Sequence, residues 1–123
     1  MLVARQVASG AEALCGMVRD PLYGPLVTVG IGGAGVEALS LTSVAMAPLD
    51  RETALELVDE APGLARVASP QAREALAATL VALARLAVDH PEVVAVDVNP
   101  LILSADGATA VDALVIVDRG GGG

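Results

Sequence analysis

The sequence predicts an α/β protein of the α+β type, in which a mixed or antiparallel β-sheet carries helices on one face. Two observations lead to this fold class. Short aliphatic runs bounded by glycine and proline occupy both ends of the 123-residue chain, and two segments with helical spacing lie between them. Because strands and helices do not alternate one by one, this order favours helices segregated from the strands over a doubly wound parallel sheet.

The amino-terminal part of the chain is predicted to form strands. Ser9-Gly10 indicates a hairpin turn between the first two aliphatic runs. The segment 20–25 contains two prolines and a glycine, which break any regular element. The fourth run is rich in β-branched residues, which favour a strand, with a short helix as the alternative. The predicted strands span residues 2–8, 11–18, 26–31 and 36–46.

Two helices are predicted in the middle of the chain. Asp50 is a good N-cap for a helix over residues 51–60, which the following proline and glycine end. Ser69 followed by Pro70 is an N-cap with proline at the first helical position. Leucines then recur at helical spacing until a proline near residue 91 stops the run.

The last part of the chain is predicted to be a hairpin. Two aliphatic runs, 93–98 and 101–103, lead through Asp106-Gly107 into a strand at 109–117. Asp-Gly is a strong signal for a tight two-residue turn. We therefore expect one domain over residues 1–118, followed by a flexible glycine-rich tail at 119–123.

Composition excludes several classes of function. The formal net charge of −8 opposes binding to nucleic acid, whose phosphates would be repelled, and to an anionic membrane surface. No apolar run reaches the roughly 18 residues that a membrane span needs. Cys15 is the only cysteine, which excludes a disulfide framework and favours a buried, inert thiol. A cytoplasmic location fits this composition.

Three polar side chains interrupt the aliphatic runs of the last hairpin. Asp97 and Asn99 are two residues apart, so they share a face if the run is a strand. With Asp106-Gly107 as the turn, Leu101 lies opposite Asp112, which places Asp112 diagonal to Asn99 at roughly 7–8 Å. Carboxylate and amide oxygens suit Mg²⁺ held between protein and substrate phosphates. A solvated strand face with three ordinary polar residues is the alternative.

A glycine-rich loop follows the third predicted strand. Residues 30–35 read Gly-Ile-Gly-Gly-Ala-Gly, with Asp50 twenty residues beyond the first glycine. This pattern is the dinucleotide-binding fingerprint. However, the segment after it is a poor helix, and Asp50 is better explained as a helix cap. Glycines that expose backbone N–H groups to a phosphate are the preferred interpretation, and a purely structural turn is the alternative.

Several motifs in one order resemble a known family over nearly the whole chain. They look like the carboxyl half of the ATP-grasp region of NDP-forming acyl-CoA synthetases, such as ADP-forming acetate–CoA ligase. The β-subunit of succinyl-CoA synthetase is a more distant match. The matching segments are residues 12–16, Arg19-Asp20-Pro21, Tyr23-Gly24-Pro25, Gly30-Ile31-Gly32-Gly33, Glu37, Ala47-Pro48-Leu49, Leu86-Ala87-Val88-Asp89, Asn99-Pro100-Leu101 and Val111-Asp112-Ala113.

The resemblance implies roles for individual residues. Asn99 and Asp112 match positions that hold Mg²⁺ on the phosphates of ATP or ADP. Asp97 matches an acidic position near the phosphohistidine relay, and Glu12 matches a carboxylate that binds the nucleotide, in the family at its ribose. The glycines expected to approach the nucleotide phosphates are Gly30, Gly32 and Gly33. In this family ATP phosphorylates a histidine, which passes the phosphoryl group on to form an acyl phosphate that CoA attacks.

The chain also departs from the family. Met1-Leu2-Val3 aligns with the hinge strand, so the resemblance implies a chain that begins mid-domain, without the preceding half and its lysines. Leu41 and Ala45 stand where the family has Asp and Arg, and Arg66-Val67 replaces Arg-Gly. His90 precedes a proline at a helix end and is not expected to be the relay histidine.

These observations support one main hypothesis and two alternatives. The main hypothesis is a nucleotide- and magnesium-binding half-domain of an ADP-forming acyl-CoA ligase. It would be inactive alone and would pair with the amino half and with the CoA-binding and phosphohistidine domains. The alternatives are a non-catalytic structural or regulatory module, as in acetyltransferase fusions, and a fragment of a dinucleotide-binding oxidoreductase. Exposed sheet edges would also permit a homo-oligomer.

Overall fold

The computed structural model describes residues 11–32 and 42–118, which form one six-stranded sheet and three helices. Strand order is β3-β2-β1-β4-β5, and β6 pairs with β4 beside β5. All the strand pairs are antiparallel. The elements are β1 Glu12–Asp20, β2 Gly24–Ile31, β3 Thr42–Met46, α1 Arg51–Glu60, α2 Leu64–Val67, α3 Pro70–Asp89, β4 Val93–Ser104, β5 Gly107–Ala110 and β6 Ala113–Val117.

Alternating burial along the strands places the helices on one side of the sheet. In β1 the odd-numbered residues from Ala13 to Met17 are buried, and they pair with buried residues of β2 such as Val29. Because side chains on a strand alternate faces, the even-numbered residues of β1 point to the other side. The helices supply the rest of the core, mainly through α3 residues Leu76, Leu80, Leu83 and Ala87.

Both predicted helix starts are confirmed by their caps. The Asp50 side chain accepts a hydrogen bond from the Thr53 N–H at 2.8 Å. Ser69 accepts from the Ala72 N–H at 2.9 Å, and Pro70 occupies the first turn of α3. These bonds satisfy backbone donors that a helix leaves unpaired at its start.

Arg19, on the helix side of β1, links β1 to the end of α3 and the start of β4. Its guanidinium donates to the carbonyl oxygens of Ala87 at 2.5 Å, His90 at 2.8 Å and Val93 at 2.6 Å. The last carbonyls of a helix have no partner within the helix and carry partial negative charge, so a cation there is favourable. Arg19 therefore holds the carboxyl end of α3 against the sheet.

β4 contains one extra residue relative to β1, at the point where its partner on the other side changes from β6 to β5. Ala13 pairs with Leu101, whereas Cys15 pairs with Val98, so two steps along β1 match three along β4. Burial shifts phase at the same point, from Val96 and Val98 to Leu101 and Leu103. Such a shift is a β-bulge, which re-aims side chains. Pro100 lies within it, and a proline cannot donate to a ladder.

Most predicted elements in the described part of the chain are confirmed. The predicted strands at 11–18 and 26–31 correspond to β1 and β2, and the weak strand at 36–46 is β3 in its described part. The helix at 51–60 has the predicted bounds. The short α2 was not predicted. The strand at 2–8, the Ser9-Gly10 turn and the tail at 119–123 lie outside the described residues.

The last hairpin was predicted in the wrong register. Ser104 pairs with Gly107, so the tight turn is Ala105-Asp106, and Leu101 lies opposite Ala110 instead of Asp112. Gly107 has a φ of 154° and begins β5, a backbone conformation that suits glycine. The expected strand at 109–117 is also divided, because β5 ends before Asp112 and β6 begins after it.

Candidate functional site

The candidate site lies on the open face, defined here as the face of the sheet opposite the helices. Its positions in β1 are Glu12, Leu14, Gly16 and Val18, and their cross-strand partners extend the same face across the other strands. No helix among the described residues packs on this face. All the predicted binding residues that the structure describes belong to it or to its margin.

Asn99 and Asp112 are directly opposed at one margin of the open face. The Asn99 N–H donates to the Asp112 carbonyl at 3.1 Å, and the Val111 N–H donates to the Pro100 carbonyl at 2.9 Å. The predicted diagonal placement was therefore wrong, and the two residues are closer in register than expected. Directly opposed residues of an antiparallel pair have Cβ atoms roughly 4.5–5.5 Å apart. Both side chains are exposed.

Asp97 lies on the open face one strand repeat from Asn99. It is exposed, and its partner in β1 is Gly16, which pairs in turn with Thr28 of β2. A Cβ added to Gly16 would lie 3.1 Å from the Val96 carbonyl oxygen and 3.4 Å from Thr28 Oγ1. Thr28 thus shares the row of Asp97, a relationship that sequence spacing alone did not reveal.

Glu12 and the glycine loop meet at the start of β1. The Gly32 N–H donates to the Glu12 carbonyl at 2.8 Å, and a Cβ on Gly32 would lie 3.5 Å from the Glu12 Cβ. Gly30 is paired with Leu14, one step further along the open face. Glu12 is half-buried. Gly33 lies outside the described residues, so its place relative to Glu12 is a prediction.

The donor set at Asn99 and Asp112 fits a magnesium ion that also binds phosphates, and not a cage made by protein alone. The described residues contain no group of three or more His, Cys, Asp or Glu able to hold a metal. Mg²⁺ is commonly bound by one or two protein oxygens and completes its shell with water and substrate phosphates. One Asp112 oxygen, Oδ1, already accepts from the Ala113 N–H at 2.9 Å, which orients the carboxylate.

Few positively charged side chains are available near the acidic residues of the candidate site. The seven basic residues of the chain are all arginines. Among the described ones, Arg19 is bound at the end of α3, while Arg51 and Arg73 pair with Glu74 and Asp59. The remaining described arginines, Arg66 and Arg85, belong to helices. A nucleotide polyphosphate on the open face would need positive charge from elsewhere.

The residues set aside by the sequence analysis have structural roles. Asp50 caps α1, and every described strand pair is antiparallel, so the dinucleotide-binding alternative lacks the parallel unit it requires. Burial raises the pKa of the Cys15 thiol to about 12, as expected for an inert cysteine. His90 ends α3, and its Nδ1 lies 3.3 Å from Glu92.

One departure from the family motif that lies in the described residues is Ala45. It pairs with Val27 in β3 and packs, half-buried, against the core on the helix side. Its side chain therefore points away from Asp97 and Asn99. A cavity of about 190 Å³ lies on the helix side as well, between Leu49 and Val88, and none of the predicted binding residues lines it.

Comparison with known proteins agrees with this architecture. The family model for the ATP-grasp domain matches residues 1–117, and the chain belongs to this family. It is 38% identical over 122 residues to the subunit beta of ADP-forming acetate–CoA ligase I from Pyrococcus furiosus. That match covers 95% of this chain and 53% of the subunit. The ADP-forming acetate–CoA ligase I from Archaeoglobus fulgidus is also 38% identical, over 91% of this chain and 17% of its own length.

Solved structures show the same fold. A dinucleotide-forming acetyl-coenzyme A synthetase 1 from Ca. Korarchaeum cryptofilum, in complex with coenzyme A and Ca-AMPCP, has a TM-score of 0.79 and 32% identity. The match covers 88% of this chain and 49% of the solved chain. A second structure of that enzyme contains Mg-AMPPCP, with a phosphohistidine segment pointing towards the nucleotide-binding site. The chain thus spans about half the length of the solved chains and of the Pyrococcus furiosus subunit, and a smaller part of the Archaeoglobus fulgidus ligase.

Among the helices that the structure describes, none is long and apolar enough to cross a membrane.

Proposed function

We propose that this chain supplies the magnesium- and nucleotide-binding carboxyl half of the ATP-grasp domain of an ADP-forming acyl-CoA ligase. Asn99 and Asp112 hold Mg²⁺ on the phosphates of ATP or ADP. Asp97 acts beside the phosphoryl-accepting group, and Glu12 with Gly30, Gly32 and Gly33 contacts the nucleotide. The chain is inactive alone.

The direct opposition of Asn99 and Asp112 carries this proposal. Two exposed oxygen-bearing side chains at paired positions provide a protein-side magnesium site. Asp97 follows on the same face, at the distance of one strand repeat, roughly 6.6 Å along β4. Two relatives that are each 38% identical to this chain are acetate–CoA ligases of the ADP-forming type, which makes an acid–thiol ligase the favoured reaction class. In phosphoryl transfer the protein contributes chiefly positioning and charge neutralisation.

The chain contains no lysine, so nucleotide binding on the open face requires cations from a second region. The whole chain has seven arginines against fifteen carboxylates, a formal net charge of −8, and the described arginines are occupied elsewhere or lie on helices. A triphosphate brought to the acidic margin would be repelled unless another region supplies cations. We therefore assign the phosphate-binding cations to the part of the ligase that this chain does not cover.

A chimera tests the proposal. In the Pyrococcus furiosus subunit beta, the segment matched by this chain is replaced with residues 1–123, and binding of MgADP is measured by isothermal titration. We expect Asn99→Ala and Asp112→Ala each to weaken binding at least roughly tenfold, or about 1.4 kcal/mol. Asp106→Ala, an exposed acid in the β4–β5 turn, is the matched control and should bind like the parent. Equal affinity in all four proteins would disprove the magnesium assignment.

A non-catalytic, synthetase-like module is the second candidate. Ala45 favours it, because an apolar residue fills a position where the family motif has an arginine. In this case the chimera would fold, with Cys15 still protected, but would not bind MgADP.

A further inference from the structure

The open face carries a continuous apolar row that the nucleotide site does not use. The row crosses five strands through directly paired residues, from β3 through β2, β1 and β4 to β6. Its members, in that order, are Met46, Leu26, Val18, Ala95 and Ile116. With strands roughly 4.8 Å apart, the apolar row is about 19 Å long.

The three large side chains at its ends and centre are exposed to an unusual degree. Met46 is 57% exposed, Val18 48% and Ile116 49%. Val44 and Leu114, which are also about half exposed, lie in the next row on the same face. Isolated exposed aliphatic residues are ordinary, but a contiguous set across a sheet marks an interaction surface.

The apolar row adjoins the candidate site. The next row along the face contains Asp97, Gly16 and Thr28, and the one after it contains Leu14 and the Asn99–Asp112 pair. A body that covered the apolar row would therefore also close over the acids. No charged side chain interrupts the row itself.

We infer that the apolar row is the docking surface for the region that relatives carry beyond the segment matched here. This inference rests on the proposed function. The Pyrococcus furiosus subunit and the solved chains are each about twice as long as the segment that this chain matches. They therefore contain a further region large enough to cover a sheet face. The same region must supply the cations that the open face lacks, and docking on the apolar row would bring them over Asp97 and Asn99.

Chemical labelling of introduced cysteines tests the inference without using nucleotide. Val18→Cys and Met46→Cys are made in the isolated chain and in the chimera, and their rates of reaction with a maleimide are followed by peptide mass spectrometry. Val88→Cys, on α3 at the helix side, is the matched control because Val88 is 55% exposed. The buried Cys15 reports on folding, since a thiol with a pKa of about 12 reacts slowly while the core is intact.

We expect both open-face cysteines to react at least roughly tenfold more slowly in the chimera than in the isolated chain, with Val88→Cys unchanged. Equal rates in a chimera with protected Cys15 would overturn the inference. If the chimera does not fold, the isolated chain is mixed with the separately produced remainder of the Pyrococcus furiosus subunit. Lack of protection in that mixture would then overturn it.

Protection that rises with the concentration of the isolated chain would assign the apolar row to a second copy and would also overturn the inference. Failure of the proposed function has a different signature. In that case the row is protected in the chimera, but MgADP binding does not respond to Asn99→Ala or Asp112→Ala.

Discussion

The backbone N–H of Asn99 donates to the carbonyl oxygen of Asp112 at 3.1 Å. Asn99 in β4 is therefore the direct partner of Asp112, which lies in the interruption between β5 and β6. The bond lies at the β-bulge that contains Pro100. Because Leu101 pairs with Ala110 and Val98 pairs with Ala113 on either side of this bond, the backbone holds the two side chains together before any ligand binds. This preorganisation is the structural basis of the proposed magnesium site.

Asp97→Asn should separate nucleotide binding from turnover. The substitution keeps the shape of the side chain but removes the charge beside the phosphoryl-accepting group. In the chimera, with the other ligase components present, we expect MgADP affinity within about twofold of the parent and acetyl-CoA formation at least roughly 100-fold slower, as for loss of a positioned acid–base group. Asp106→Asn is the control. A parallel loss of affinity and rate would show that Asp97 binds the metal instead.

Arg19→Met should destabilise the fold although Arg19 lies outside the site. Three carbonyl oxygens lose a charged donor, and the end of α3 loses its connection to the sheet. Because Arg19 is only half-buried, water replaces part of the loss, and we expect a decrease of about 2 kcal/mol in the free energy of unfolding. Urea denaturation followed by circular dichroism measures it. Arg85→Met, on the exposed surface of α3, should change it by less than about 0.5 kcal/mol.

Gly16→Ala should destabilise the centre of the sheet. The added Cβ would lie 3.1 Å from the Val96 carbonyl oxygen, a backbone atom that cannot move without disturbing β4. We expect a loss of about 1–2 kcal/mol in denaturant unfolding, typical of overpacking. Gly32→Ala is the matched control, since its nearest neighbour would be at an ordinary 3.5 Å. If both variants unfold alike, the close approach at Gly16 is not the cause.

Stability should fall as pH decreases through the range in which two surface carboxylates titrate. The Thr53 backbone N–H lowers the pKa of Asp50 below its ordinary 3.8, and hydrogen bonds from Arg73 lower the pKa of Asp59. A carboxyl with a depressed folded-state pKa stabilises the fold above its unfolded pKa and loses that contribution as pH falls through the folded one. Thermal melts from pH 6 to pH 2.5 should show the decline.

Asn substitutions identify the groups responsible. Asp50→Asn retains an N-cap acceptor but no longer titrates, so its melting temperature should depend less on pH between about 4 and 2.5. Asp59→Asn should do the same and should also be less sensitive to added salt, because the exposed pair with Arg73 is screened. Unchanged pH profiles in both variants would assign acid sensitivity to other carboxylates.

Local signals in the chain were sufficient to predict the helices and most of the described strands. Asp50 and Ser69 are capping residues whose effect depends on the next three residues alone, and both helix starts were predicted correctly for that reason. The aliphatic alternation of β1 and β2 likewise depends on neighbours two positions away. Recognition of the family depended on several short motifs in order, not on any one of them.

The arrangement of the site depended on contacts between residues distant in the sequence. Asp106-Gly107 indicated a turn, but Ser104 pairs with Gly107, which moves the turn by one residue and thereby changes which residue lies opposite Asn99. A shift of one position reverses the face of a strand side chain, so no local pattern could establish that Asn99 faces Asp112. The apolar row from Met46 to Ile116 likewise exists only because five separate strands pair in one register.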